Sequence, residues 1–185
     1  MRLKGDGIIL VSFGEYERSE EVRKTYLSWL EDLEVTGLIA SESLLMPKNM
    51  QFIDDSFVRF QSKSCIGFFI QDFETGELIG TAKLDKINHY TKSAEDGIMI
   101  GNRNFWGKGV AKKVYKVILD YAFGTLGLNR ITSGCNEHNT GMVKVLEYFG
   151  YKQEGVLRES DYINGTYSNH LLFGILRSEY KGDIG

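Results

Sequence analysis

Proline occurs once in 185 residues, at Pro47, and cysteine twice, at Cys65 and Cys135. Two thiols inside apolar, strand-like stretches exclude a disulfide scaffold and read as reduced thiols of a cytoplasmic protein. A dominant charge is missing as well: 22 basic residues oppose 25 acidic ones, net −3. That balance argues against a general nucleic-acid binder, whose domain is normally basic. No run of about 18 apolar residues exists, so no membrane-spanning helix is expected. The apolar run near the start, Ile8 to Val11 with Phe13 after a serine, is too short for a signal peptide. Internal repeats, low-complexity tracts and linkers are also missing, which predicts one domain over residues 1–185.

What is present is ordinary for a soluble globular protein, 42% hydrophobic and 25% charged residues. A chain of this size can bury around 70% of its surface. Strands are predicted at 7–13, 65–71, 78–87, 94–100, 130–135, 154–162 and 167–176. Helices are predicted at 19–32, capped by Ser19, and at 49–62, 109–123 and 139–149. Residues 34–48 look irregular, Glu74-Thr75-Gly76-Glu77 reads as a turn, and Asn164-Gly165 as a two-residue hairpin. The order β-α-α-β-β-β-α-β-α-β-β predicts a mixed α/β (α+β) sheet with helices on both faces.

The segment richest in chemistry is Gly97-Ile98-Met99-Ile100-Gly101-Asn102-Arg103-Asn104-Phe105-Trp106-Gly107-Lys108-Gly109-Val110-Ala111-Lys112-Lys113. It reads as a strand, a glycine-bearing loop and a helix start. Unpaired N–H groups at a helix N-terminus point at any anion placed there, and Gly107 and Gly109 remove the β-carbons that would hold a phosphate away. Lys108, Lys112, Lys113 and Lys116 oppose the helix dipole, a poor choice unless an anion arrives. A tight turn with a solvated lysine face is the alternative. A nucleotide-triphosphate loop is excluded, because five residues separate Gly101 from Gly107 and Gly109 replaces the magnesium-binding hydroxyl. A dinucleotide fingerprint is excluded by Lys112 at its third glycine.

Trp106-Gly107-Lys108-Gly109-Val110-Ala111 resembles the pyrophosphate loop of the GNAT superfamily of N-acetyltransferases, in particular the branch of ribosomal-protein alanine N-acetyltransferases. Tyr121-Ala122-Phe123 with Leu126 to Ile131, then Asn139, Phe149-Gly150-Tyr151, Glu154 to Arg158 and Asn164 to Tyr167 resemble that branch in register. The resemblance implies a single domain around a central, mixed and splayed seven-stranded sheet. It implies acetyl-CoA as co-substrate, with the pantetheine arm between the strands at 98–100 and 130–135. Backbone groups of Met99 and Ile100 would bond the arm, and amides from Gly107 to Lys112 the pyrophosphate, with Trp106 in the same loop. Asn139 resembles the coenzyme-contacting asparagine.

Direct attack of an amine on a thioester needs a proton acceptor, since alkyl amines are mostly protonated at neutral pH. Two candidates are Glu95, which alternation places on one strand face with Gly97 and Met99, and Asp161 in the last hairpin. A two-residue turn would set Asp161 opposite Ser168 and Glu159 opposite His170, a polar cluster that is either catalytic or a solvated face. The family's usual proton donors are replaced by Leu146 and Met142, leaving Tyr148, Tyr162 or water. Cys135 reads as a buried structural thiol. His89, His138 and His170 lack metal-ligand spacing with the cysteines, and no metal is expected.

The resulting expectation is an acetyl-CoA-dependent N-acetyltransferase acting on a primary amine, with a nucleotide-linked amino sugar as first acceptor. A second anion site would then draw on Arg59, Lys63 or Lys86. The alternatives are a protein N-terminus, then polyamines and antibiotics. From other classes, a non-catalytic acyl-CoA-binding module or a structural interaction domain would leave the loop without chemistry. Neither nucleic acid nor membrane is an expected partner, and a homodimer stays open.

Overall fold

The computed structural model describes residues 1–39, 47–163 and 165–182. Among the described residues nine strands form one sheet in the order β1-β2-β4-β5-β6-β7-β9-β8, with β3 beside β4. They are β1 (Arg2–Lys4), β2 (Ile8–Ser12), β3 (Gln61–Ser62), β4 (Cys65–Asp72), β5 (Leu78–Asn88), β6 (Ser93–Ile100), β7 (Arg130–Asn136), β8 (Lys152–Ile163) and β9 (Thr166–Leu176). The seven expected strands are all there. The additional two, β1 and β3, hold three and two residues, too few to leave a period in the sequence.

Five α-helices accompany them among the described residues: α1 (Glu20–Glu31), α2 (Leu33–Thr36), α3 (Met50–Arg59), α4 (Val110–Asp120) and α5 (Thr140–Tyr148). Ser19 caps α1 by accepting from the Val22 N–H at 3.3 Å, and Asn49 and Asn139 cap α3 and α5 the same way. The helix expected through residue 123 is α-helical only to Asp120 and widens into a π turn at Tyr121–Thr125. Within the stretch expected to be irregular, α2 supplies one short turn of helix. Residues 40–46 of that stretch, and Asn164 of the expected hairpin turn, lie outside the described residues.

Alternation along the strands builds a separate core on each face. On one face α4 and α5 cover Leu119, Phe123, Leu128, Ile131, Leu146 and Ile175. On the other, α1 and α3 cover an aromatic group in which Phe13 stacks on Phe69, ring centroids 4.1 Å apart, and meets Phe57 edge-on at 4.9 Å.

One irregularity of the sheet positions the site. β6 and β7 form the parallel pair, and they pair only at Ser93↔Arg130, Ala94↔Ile131 and Glu95↔Thr132. Beyond that point β6 continues to Ile100 bonded to β5, and β7 continues to Asn136 bonded to β9. The two strands therefore diverge into a V whose facing backbone edges are unpaired.

Candidate active site

α4 follows β6 after a nine-residue loop that holds a 3-10 turn at Arg103–Phe105, and α5 follows β7 after three residues, so both helices start at the open end of the V. No side chain caps α4. Its N-cap is Gly109 at φ 74°, and Gly107 stands at φ 72°. A Cβ at either glycine would meet nothing within 4 Å, so both face open space. Left-handed backbone at two glycines ahead of an uncapped helix is the kind of arrangement in which successive N–H groups can face an anion.

The loop is held from behind. The Trp106 indole donates to the Ile100 carbonyl at 2.8 Å, and Asn102 donates to Glu77 at 2.8 Å. Arg103 bonds Glu34 and lies 3.4 Å from Asp32, fastening the loop to α2 and its cap. Gly101 lies under the Trp29 ring, where a Cβ would come within 2.1 Å of the indole. Of the four lysines, Lys113 leans to Asp6 at 3.4 Å and Lys116 to Asp120 at 2.8 Å, so these two are directed away from the loop. Lys108 rests over Phe105 and Lys112 over Tyr148, 3.9 Å from that ring's centroid.

Of the expected arm-binding residues, Met99 is buried in the α1/α3 core and Ile100 packs toward α4, on opposite faces as alternation requires. The Ile100 carbonyl already serves the Trp106 indole. Val110 is buried and Ala111 half-buried at the first turn of α4. Asn139 spends its side-chain oxygen on the Met142 N–H at 3.1 Å, so its amide N–H groups are the part that would serve a coenzyme.

The two carboxylates expected to act as base are not brought together. Glu95 sits at the closed end of the V, ion-paired to Lys86 at 2.7 Å. Asp161 is bonded by Asn136, four residues further along β7 than Thr132. At about 3.3 Å per residue that separation is roughly 13 Å. Asp161 faces Ser168 as expected, but Glu159 does not face His170. A bulge sets residues 158–160 against Asn169 alone, so Leu157 opposes His170 instead. Glu159 sits at φ 52°, its N–H bonded to the Asn169 side chain at 3.0 Å. The cluster is also not a solvated face: Asp161 and Ser168 are buried, and Asn136 donates to Asp161 at 2.9 Å and to Ser168 at 2.6 Å.

A buried carboxyl not among the expected site residues lies at the fork. Asp96 accepts from Tyr115 at 2.9 Å and from Tyr151, and Tyr115 lies 3.4 Å from Ser133. Burial pushes its pKa up to about 6, while Ser133 and the two tyrosine hydroxyls pull it back. The signal was available: alternation puts Asp96 on the α4 face, where an acid needs partners. Cys135 is buried, and its thiol is pushed up to about 11 by burial and then by Asp161, which leaves little thiolate to act as a nucleophile. Leu146 is fully buried and offers no proton, while Tyr148 and Tyr162 are exposed.

The family described as acetyltransferase (GNAT) domain matches residues 16–152, and this chain belongs to the GNAT acetyltransferase family. Its relatives include the uncharacterized N-acetyltransferase p20 of Bacillus licheniformis, 35% identical over 133 residues, 72% of each chain. The spermidine N(1)-acetyltransferase of Vibrio cholerae is 35% identical over 113 residues, 61% of this chain and 64% of that one. YdaF of Bacillus subtilis, named for ribosomal N-acetylation, is 30% identical over 108 residues, 58% of each. The chain thus spans less than two thirds of the latter two. The crystal structure of the Vibrio cholerae spermidine enzyme with CoA and spermine superposes with a TM-score of 0.82 at 24% identity, covering 94% of this chain and 98% of that one. The fold is shared, and the enzyme class is acetyl-CoA-dependent N-acetyltransferase. The residues fit that co-substrate: an uncapped helix start with two open glycines stands at the mouth of a gap whose backbone is unpaired.

Proposed function

We propose that this enzyme acetylates a primary amine of a small polycationic acceptor by direct attack on acetyl-CoA. The observation that carries the reading is the V between β6 and β7 with the uncapped start of α4 at its mouth. The backbone of Met99 and Ile100 would bond the pantetheine arm. The amides of Gly107, Lys108, Gly109, Val110, Ala111 and Lys112 would hold the pyrophosphate, with Trp106 fixing the loop and Asn139 offering its amide. Bound there, acetyl-CoA supplies an activated acyl group with a thiolate leaving group.

The ion pairs near the gap weaken the case for a nucleotide-linked amino sugar. Of the cations named for a second phosphate site, Arg59 is bonded to the buried Asp85 and Lys86 to Glu95. A phosphate would have to displace carboxylates from these cations. The names of the spermidine relatives point to a cationic amine instead. A protein N-terminus is the second reading, favoured by the YdaF relative.

A thermal melt with and without acetyl-CoA is the first test. At about 100 times the dissociation constant, binding adds about 2.7 kcal/mol, several degrees for a domain of this size. Thiol release is then measured with spermidine, a nucleotide-linked amino sugar and a peptide. Turnover of spermidine ahead of the others is expected. Preference for the sugar would reverse the acceptor assignment, and no melting shift at millimolar acetyl-CoA would remove the reading altogether.

A further inference from the structure

The polar cluster on β7, β8 and β9 has the geometry of an oriented imidazole. The bulge in β8 brings Asp161 beside His170, whose Nδ1 lies 3.1 Å from Oδ2 and 3.2 Å from Oδ1. Asp161 is only 5% exposed, and it is fixed by Asn136, which donates to it while its own Oδ1 accepts from the His138 N–H at 3.0 Å. A carboxylate accepts and does not donate, so the ring nitrogen facing it carries the hydrogen. In the neutral ring Nε2 then keeps its lone pair.

Nε2 reaches over β7. A Cβ built on Gly134 would lie 2.4 Å from it, so the ring tip occupies the space that any other residue at 134 would fill. Gly134 is exposed and two residues beyond Thr132, on the wall of β7 that has parted from β6. Alternation places Thr132, Gly134 and Asn136 on the face opposite Ile131 and Cys135, which pack toward α4. The lone pair is therefore presented at the rim of the gap, on the side away from the phosphate-binding helix. The other two candidates are worse placed, Asp161 because it is buried and Glu95 because it is paired to Lys86 at the closed end.

We infer that His170 is the general base of the transfer, and that Asp161 is a positioning residue that fixes its tautomer. The inference rests on the acetyltransferase reading above. The acceptor R–NH3⁺ gives one proton to Nε2, and the freed nitrogen lone pair forms the C–N bond at the thioester carbon. The C–S bond breaks with its electron pair on sulfur, and the second proton lost by nitrogen neutralises the thiolate. The imidazolium returns its proton to solvent. The products are the N-acetyl amine and the free thiol.

The test compares wild type with His170→Gln, His170→Ala and Gly134→Ala, using spermidine and acetyl-CoA. Loss of a general base lowers kcat by about 10²- to 10⁴-fold. His170→Gln should show that loss with an unchanged acetyl-CoA melting shift, and added imidazole should restore part of the rate in His170→Ala. Gly134→Ala keeps both side chains but displaces the ring tip, and should lower kcat more than it alters KM; it serves if the His170 variants do not fold. Independently of activity, imidazole nitrogen NMR of the wild type, at a pH where the ring is neutral, should show hydrogen on Nδ1 and none on Nε2. A wild-type rate in folded His170→Gln, or a hydrogen on Nε2, overturns this inference and leaves the acetyltransferase reading intact. A wild type that binds acetyl-CoA but releases thiol with no amine overturns both.

Discussion

The Trp106 indole N–H donates to the carbonyl of Ile100 at 2.8 Å, closing the loop between β6 and α4 on its own strand end. The bond ties the last strand residue to the residue preceding the two open glycines. Trp106→Phe keeps the ring and removes the donor. It should reduce stability by about 1 kcal/mol and raise the acetyl-CoA dissociation constant several-fold through a looser loop. A urea melt checks the first and titration calorimetry on the folded variant the second; an unchanged affinity would make the bond purely structural.

Gly109 and Gly127 offer a matched pair. Both hold left-handed backbone, at φ 74° and 62°, and a Cβ at either meets nothing. Alanine at each should therefore cost a similar amount, roughly 1–2 kcal/mol from backbone strain. Only the Gly109 change should weaken acetyl-CoA binding, and Gly109→Glu should abolish it by adding charge where phosphate is expected. Equal effects of Gly109→Ala and Gly127→Ala on affinity would remove the phosphate-loop assignment.

Asp96 makes a prediction in pH. Its folded pKa, about 6, is above its ordinary 3.8, so the folded protein prefers the protonated form. The corresponding stability is fully present below the unfolded value and is lost as pH rises through about 6. The gap corresponds to on the order of 3 kcal/mol. Wild type should gain stability on going from pH 7 to pH 5 relative to Asp96→Asn, in which this contribution is missing. Parallel urea melts across that range measure it, and identical slopes in the two proteins would contradict the assignment.

The cysteines should be inert. Burial pushes Cys65 to about 12, with Asp85 adding to it, and Cys135 to about 11. Neither should react with iodoacetamide at pH 8 until the protein is unfolded, as mass spectrometry would show. Cys135→Ser should retain acetyl transfer. Loss of turnover in a folded Cys135→Ser would revive an acyl-cysteine route in place of direct attack.

The fold was legible where period and punctuation agreed. Ser19 and Asn139 mark the starts of two helices, and alternation puts Met99 and Asp96 on opposite faces. The loop from Trp106 to Lys112 was legible because glycines and an absent cap are local features. What was not legible depends on partners distant in sequence. The bulge that moves His170 from Glu159 to Leu157 is set by Asn169, whose side chain bonds both Glu159 and Glu137. Lys113 and Lys116 read as loop cations until Asp6 and Asp120 took them.

The divergence of β6 from β7 gives this sheet four edges where an open sheet has two. The inner pair carry free backbone donors and acceptors in the middle of the molecule, flanked by the apolar residues Ile98, Ile100 and Ile131. Edges of that kind invite strand addition from neighbouring chains, and the protein has no charged residue at 97–101 to discourage it. The pantetheine arm, an extended chain bearing amides of its own, would act as the missing strand. Aggregation during purification and storage should therefore follow the supply of coenzyme: protein stripped of it should form large particles in light scattering sooner than protein kept saturated, at equal temperature and salt.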